Sequence, residues 1–329
     1  MRHLPAHPRG DQDRGCRDQG REPAGLETRR EAGVRRRALL LSGLGAGAAL
    51  VVGWGVLPPR SRQGLADTMP VVDGEVGLNG WIKVSSDGGG VVLAMHRSEM
   101  GQGVHTALAM LVAEELDISL AKVRLVQAGP DKLYGNVALF VASLPFHPSE
   151  REAGHETRSA RAGQWIVSKV ARELGISATG ASSTVADAWE PLRLAAATAR
   201  AQLLGAASLE WRLPVAELSV ANGVISHPSG PQGHYGLFAK AAAATPPGEV
   251  TLKTAQQWTL IGTNAPRIDL QAKIDGSAQF GIDVRLPGMV YAVVRHAPAL
   301  GGSAGAVNAD AAMKLAGVER VVRLGTYAG

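Results

Sequence analysis

The stretch from Val91 to Leu116 constrains the fold more than any other. Val91 to Met95 is a short apolar run with β-branched residues, and it reads as a strand. Arg97-Ser98-Glu99-Met100-Gly101-Gln102-Gly103 follows, and then Leu108, Leu111, Val112 and Leu116 fall on one helical face, which predicts a helix over 104–116. The layout is strand, glycine-flanked loop, helix start. Gly101 and Gly103 let backbone approach a ligand closely. The free N–H groups of a helix start favour anionic groups such as phosphates, and Gln102 offers an amide donor and acceptor without charge. An ordinary turn and cap is the rival local explanation.

The surrounding pattern is that of an α+β chain. Trp81 to Ser85 reads as a strand joined to Val91–Met95 through an Asp87-Gly88 turn, and Val123 to Gln127 as a further strand. Asp131 to Arg161, polar and broken by Pro145 and Pro148, reads as a long connecting loop. Helices are expected over 165–174, ended by Gly175, over about 187–207, and over 235–244 before Pro246-Pro247. The hydroxyl-rich Thr179-Gly180-Ala181-Ser182-Ser183-Thr184 either caps the helix that follows or lines a polar pocket. Val220 to Ile225 is a hairpin on an Asn222-Gly223 turn. Residues 251–283, rich in polar residues, Gly and Pro, read as a connection between domains. Strands over 289–295 and 318–323 and a helix over 309–315 then suggest the start of a second α+β domain, cut short at Gly329. Glu114 and Glu115 are expected as helix-surface charges, and Glu99 as a surface residue or one lying behind the loop.

Charge matters by position. Twelve arginines against six acids precede Gln63, leaving 22 basic and 23 acidic residues for the remainder. The body therefore has no basic excess, and nucleic acid is not an expected partner. Residues 1–34 read as a disordered leader. Arg35-Arg36-Arg37 precedes an uncharged run, Ala38 to Leu57, so residues 35–66 read as a signal of the twin-arginine type, cleaved or kept as an anchor over 38–57, with export to the periplasm expected. Gly43-Leu44-Gly45-Ala46-Gly47-Ala48 matches a dinucleotide loop, but no strand precedes it and the signal explains it better. Cys16 is the one cysteine, so the chain cannot supply the thiolates of an ordinary iron–sulfur cluster.

Several segments in consistent order resemble one family. Ser98 to Thr106 with Val112-Ala113-Glu114-Glu115-Leu116 resembles the cofactor-binding motif of xanthine oxidase-type molybdenum hydroxylases. Ser143-Leu144-Pro145-Phe146-His147-Pro148, Thr179 to Ser183 and Asp187 to Arg193 are similar to the large (beta) subunits of isoquinoline 1-oxidoreductase and its aldehyde-oxidising relatives. Lys273 to Asp283 resembles the opening of that family's hammerhead domain. The resemblance implies a molybdopterin-binding domain portion of mixed sheets and helices over 78–250, a connection over 251–283 and a truncated hammerhead-type domain over 284–329. It implies molybdopterin cytosine dinucleotide, held partly by Gly101, Gln102, Gly103 and Thr106, with polar contacts from Gly180, Ser182, Ser183 and Thr184. A second glycine is usual in the family where Ala181 stands, and its methyl would crowd a close approach. The family hydroxylates N-heterocycles or oxidises aldehydes with oxygen from water and a glutamate base. Electrons leave through a small 2Fe–2S subunit, with a cytochrome c as a further acceptor. The base is expected beyond Gly329, so no catalytic residue is assigned in this chain.

Rival assignments are weaker. Gly301-Gly302-Ser303-Ala304-Gly305 matches a nucleophile elbow, but no His follows Ser303. His96 and His105 flank the loop without the further ligands a metal site needs, and read as packing or surface residues. The alternative to an enzyme subunit, inactive or not as it stands, is a non-catalytic fragment or an exported binding or assembly protein.

Overall fold

The computed structural model describes residues 53–55, 57, 61–70, 72–152 and 154–324. The disordered-leader reading, the basic triplet and most of the apolar run lie outside them. Among the described residues no helix is long and apolar enough to cross a membrane. The chain divides into two compact units between Leu270 and Gln271.

The first unit is built on a four-stranded mixed sheet. β1 (Glu75–Gly77), β2 (Ile82–Ser85), β3 (Val91–Met95) and β4 (Val123–Gln127) lie side by side in that order. β1–β2 and β2–β3 are antiparallel, with Ile82 opposite Leu93, whereas β3 and β4 are parallel, with Leu93 opposite Leu125. Parallel neighbours need a crossover, and α1 (Val104–Glu115) supplies it. The loop between β3 and α1 therefore leaves the C-terminal end of a strand, the end at which parallel βαβ units present ligand sites. All five residues of β3 are buried, as its unbroken apolar run requires of a central strand.

The expected long loop over 131–161 is in fact mostly structured. It contains α2 (Val137–Ala142) and the start of α3 (Arg158–Leu174), which begins seven residues before the periodicity suggests because Thr157 caps it through its hydroxyl. α4 (Thr184–Trp211) is the longest element, and it packs on α1 and α5 (Tyr235–Ala244). Its buried face is built on Leu192 and Leu203 and on the alanines Ala188, Ala195, Ala196, Ala199, Ala206 and Ala207, whose small side chains let neighbouring helices approach closely. Pro191 interrupts its hydrogen-bond ladder and leaves the carbonyl of Asp187 without its N–H four residues on. The Arg62 guanidinium takes that carbonyl instead, at 3.0 Å. β5 (Ser219–Ala221), β6 (Val224–Ser226) and β7 (Gln232–His234) form a small antiparallel sheet. Its Asn222-Gly223 turn has φ of 49° and 75°, the two positive values of a type I′ hairpin.

In the second unit the described residues hold two short helices, α6 (Leu270–Ile274, at the boundary) and α7 (Asp310–Met313), and no strand. The strands expected over 289–295 and 318–323 are not formed. β-branched residues favour a strand only where a partner ladder receives it, and these residues join no ladder: Val293 and Val322 are 93% and 62% exposed.

Candidate functional site

The two sequence segments singled out as cofactor contacts are neighbours in space. The backbone N–H of Ser98, after β3, donates to Thr179 Oγ1 at 3.0 Å, and the Arg97 guanidinium reaches Ser177 Oγ at 3.3 Å. The glycine loop before α1 and the hydroxyl loop before α4 thus form one rim.

The first half of the rim is closed on itself by Glu99. Its carboxylate accepts the backbone N–H groups of Gly101 (2.8 Å), Gly103 (2.9 Å) and His105 (3.1 Å). Burial raises its proton affinity, but these three N–H donors outweigh burial and hold its pKa below the ordinary 4.5. Glu99 is therefore neither a loose surface charge nor a bystander. It also corrects the expectation that the start of α1 is open to a phosphate, because a carboxylate of this chain already sits there. Gln102 closes the loop a second way: its Nε2 donates to the carbonyl of Ser98 at 2.9 Å, and its Oε1 accepts from Met100 N–H at 2.5 Å. Gly101 and Gly103 have φ of 101° and 81°, and a Cβ on either would meet nothing within 4 Å. Backbone there is open to close approach from outside. Thr106 faces inward, 6% exposed, and its hydroxyl accepts the N–H of Ile268 at 3.1 Å.

The second half is organised by Asn136, which sequence reasoning missed. This buried side chain donates to the carbonyl of Ala178 (2.9 Å) and to Ser183 Oγ (2.7 Å), while its Oδ1 caps α2 at Leu139 N–H. Ser183 in turn donates to the carbonyl of Gly180 at 2.7 Å, and Thr184 begins α4 largely buried. Ser182 is exposed, and a Cβ on Gly180 would also meet nothing within 4 Å. Gly101, Gln102, Gly180 and Ser182 thus face outward, while Thr106, Ser183 and Thr184 brace the rim from behind. Ala181 and Ser182 both hold left-handed backbone, with φ of 49° and 52°. That costs an L-residue roughly 1–2 kcal/mol each. Ala181→Gly is therefore expected to stabilise the unit by about 1 kcal/mol, after allowing for the greater freedom of glycine in the unfolded chain. A urea midpoint equal to or below that of the parent would show that the strain is not there to relieve.

Beneath the rim, Asp187 joins both halves. Its Oδ2 is 2.8 Å from Arg97 and 2.8 Å from Arg62, and its Oδ1 accepts the first N–H groups of α2, at Val137 (2.8 Å) and Ala138 (3.1 Å). His96 packs edge-on to Trp81 at 4.8 Å, and burial, then Arg97 and Arg62, keeps its pKa well below 6.5. It is a neutral packing residue, as the sequence suggested. Among the described residues no group of three or more His, Cys, Asp or Glu is placed to hold a metal ion.

Residues 20–138 match the family model of the molybdopterin cofactor-binding domain. That match covers the glycine loop and bears out the resemblance carried by its motif. The chain is also similar to several curated proteins. The chain is 30% identical over 302 residues to the beta subunit of isoquinoline 1-oxidoreductase from Brevundimonas diminuta, covering 81% of this chain and 34% of that protein. It is 28% identical over 285 residues to a nicotinate dehydrogenase subunit from Pseudomonas putida (83% and 20%). It is 27% identical over 289 residues to a membrane-bound aldehyde dehydrogenase (pyrroloquinoline-quinone) from Gluconacetobacter polyoxogenes (85% and 31%). The chain spans about a third or less of the length of these relatives.

Proposed function

We propose that this chain is the molybdopterin-binding portion of a molybdenum-dependent oxidoreductase that hydroxylates N-heterocycles or oxidises aldehydes. The observation that carries the reading is the Ser98–Thr179 hydrogen bond, which joins the two motif-bearing loops into one glycine-lined rim inside the sequence matched by relatives of that kind. The open space beside Gly101, Gly103 and Gly180 fits a group that approaches backbone closely. The cofactor, proposed as the cytosine dinucleotide form, supplies the redox centre when bound. The chain's own residues do the rest of the binding. Gly101, Gln102, Gly103, Gly180 and Ser182 meet it, and Thr106, Ser183 and Thr184 keep the rim in shape. Because Glu99 occupies the start of α1, the phosphates of such a cofactor are received away from these N–H groups.

The proposal extends to the assembly. A small 2Fe–2S subunit takes the electrons, with a cytochrome c as a further acceptor, since one cysteine cannot hold a cluster here. The stretch after Asp283 is read as the opening of a hammerhead-type domain, on the motif at Lys273–Asp283. The arginine triplet and the uncharged run over 38–57 support export to the periplasm, with that run as signal or anchor.

The test is cofactor content. The chain, made in a host that assembles molybdopterin dinucleotides, should purify with molybdenum and pterin. Gly180→Val, at a position without positive φ and with space for a side chain, should keep the fold and lose both. A parent chain free of molybdenum and pterin overturns the reading.

A further inference from the structure

One segment of chain, residues 253–269, is fastened to both ends of α1. At the C-terminal end, Lys253 pairs with Glu114 (3.1 Å) and with Asp117, and its backbone N–H donates to Glu115 (3.1 Å). Glu114 then accepts the N–H groups of Thr259 (3.0 Å), Leu260 (2.7 Å) and Ile261 (2.9 Å). Leu260, Ile261 and Ile268 pack against the core. At the N-terminal end Ile268 is tied to Thr106, and Arg267 reaches over the glycine loop. Its Nη2 lies 3.2 Å from Glu99 Oε1 and its Nη1 donates to the carbonyl of Gly101 at 2.9 Å. Asp269 holds the other edge of the guanidinium, at 3.0 Å from Nε and 2.9 Å from Nη2.

We infer that Glu99 and Arg267 are positioning residues for the glycine loop: carboxylate and guanidinium together lock Gly101 to Gly103 in the open, positive-φ geometry, and the strap over 253–269 delivers the arginine. The inference rests on reading that loop as a cofactor cradle. The physical need is plain, because glycines at positive φ have the most backbone freedom to lose and no side chain to hold them. Glu99 binds the loop from within through three N–H groups. Arg267 binds it from outside through a carbonyl and through Glu99 itself. A planar guanidinium with paired donors does this where an ammonium could not. The strap also links the loop's geometry to the residues that precede the second unit in sequence.

The test is amide hydrogen exchange on the purified chain, comparing the parent with Glu99→Gln and Arg267→Gln. In both variants the peptide over 97–106 should exchange roughly tenfold faster, the loss of about one hydrogen bond's protection, while amides over 108–115 hold. Pterin carried by the chain should dissociate faster from both variants. Parent-like exchange over 97–106 in both variants overturns the inference. If Glu99→Gln does not fold, Arg267→Gln decides alone, since it removes only the outer tie. Faster loop exchange in variants of a chain that carries no pterin supports the positioning role and removes the cofactor reading, so the two fail separately.

Discussion

Asp187→Ala is expected to destabilise the first unit by about 3–5 kcal/mol, the range seen when one partner of a buried ion pair is removed. The Asp187 side chain is 1% exposed and faces two guanidinium groups, Arg97 at 0% and Arg62 at 10%. With the carboxylate gone, Arg97 keeps its charge in the interior with only the carbonyls of His96 and Tyr134 and the Ser177 hydroxyl as partners. Two N–H groups at the start of α2 lose their acceptor as well. Asp187→Asn should cost less, because an amide oxygen can still cap α2 while the charge on Arg97 goes unbalanced. The order Ala worse than Asn, read as urea midpoints, is the informative result. Equal midpoints for the two variants would mean that the cap contributes nothing and charge balance everything. Parent-like stability for both would remove Asp187 from its place as the joint between the two loops. The local signature is distinct too. Losing Asp187 should free the peptide over 137–142 first, since α2 has six residues and too few internal hydrogen bonds to stand alone.

That dependence explains what the sequence showed and what it hid. β3, the glycine loop, α1 and β4 were legible almost to the residue, because each follows a local period and the βαβ crossover is fixed by its own length. The hairpin at Asn222-Gly223 and helix α5 were legible for the same reason. α2 was not. Val137–Ala142 has no helical period, and its start is capped by Asn136 and by a carboxylate fifty residues away. The strands expected over 289–295 and 318–323 fail in the opposite sense, since propensity was present and partners were not. In the candidate site the glycines and hydroxyls were singled out by motif, and the structure brings their two loops together. What sets their geometry was missed, because Asn136, Asp187 and Arg267 act across 40 to 170 residues of sequence. The one signal at hand was Glu99 itself, a carboxylate two and four residues before glycines at a helix start, placed to take their N–H groups.

Glu114→Gln makes the same point at the other end of α1, where a glutamate on a helix face looked like a surface charge. Its side chain is 0% exposed, and it accepts three successive backbone N–H groups, Thr259 to Ile261, together with the Lys253 ammonium. The amide has one acceptor oxygen and turns two donors toward groups that are themselves donors. The expected loss is about 3 kcal/mol at neutral pH, with Lys253 left 13% exposed and short of one partner. The pH dependence separates this account from simple packing. Burial raises the proton affinity of Glu114. The N–H groups of Ile261 and Leu260, then Lys253 and Thr259, lower it further than burial raises it, so its pKa in the fold lies below 4.5. The unfolded chain therefore binds the proton first. The stability that Glu114 contributes is full above about pH 4.5 and falls away as pH drops through the lower folded value. Urea titrations of parent and Glu114→Gln at a series of pH values should show a gap that is constant above that range and narrows below it. A gap that stays the same down to about pH 3 would mean that the charge on Glu114 does no holding, and that the strap over 253–269 is kept on α1 by the apolar contacts of Leu260, Ile261 and Ile268 alone.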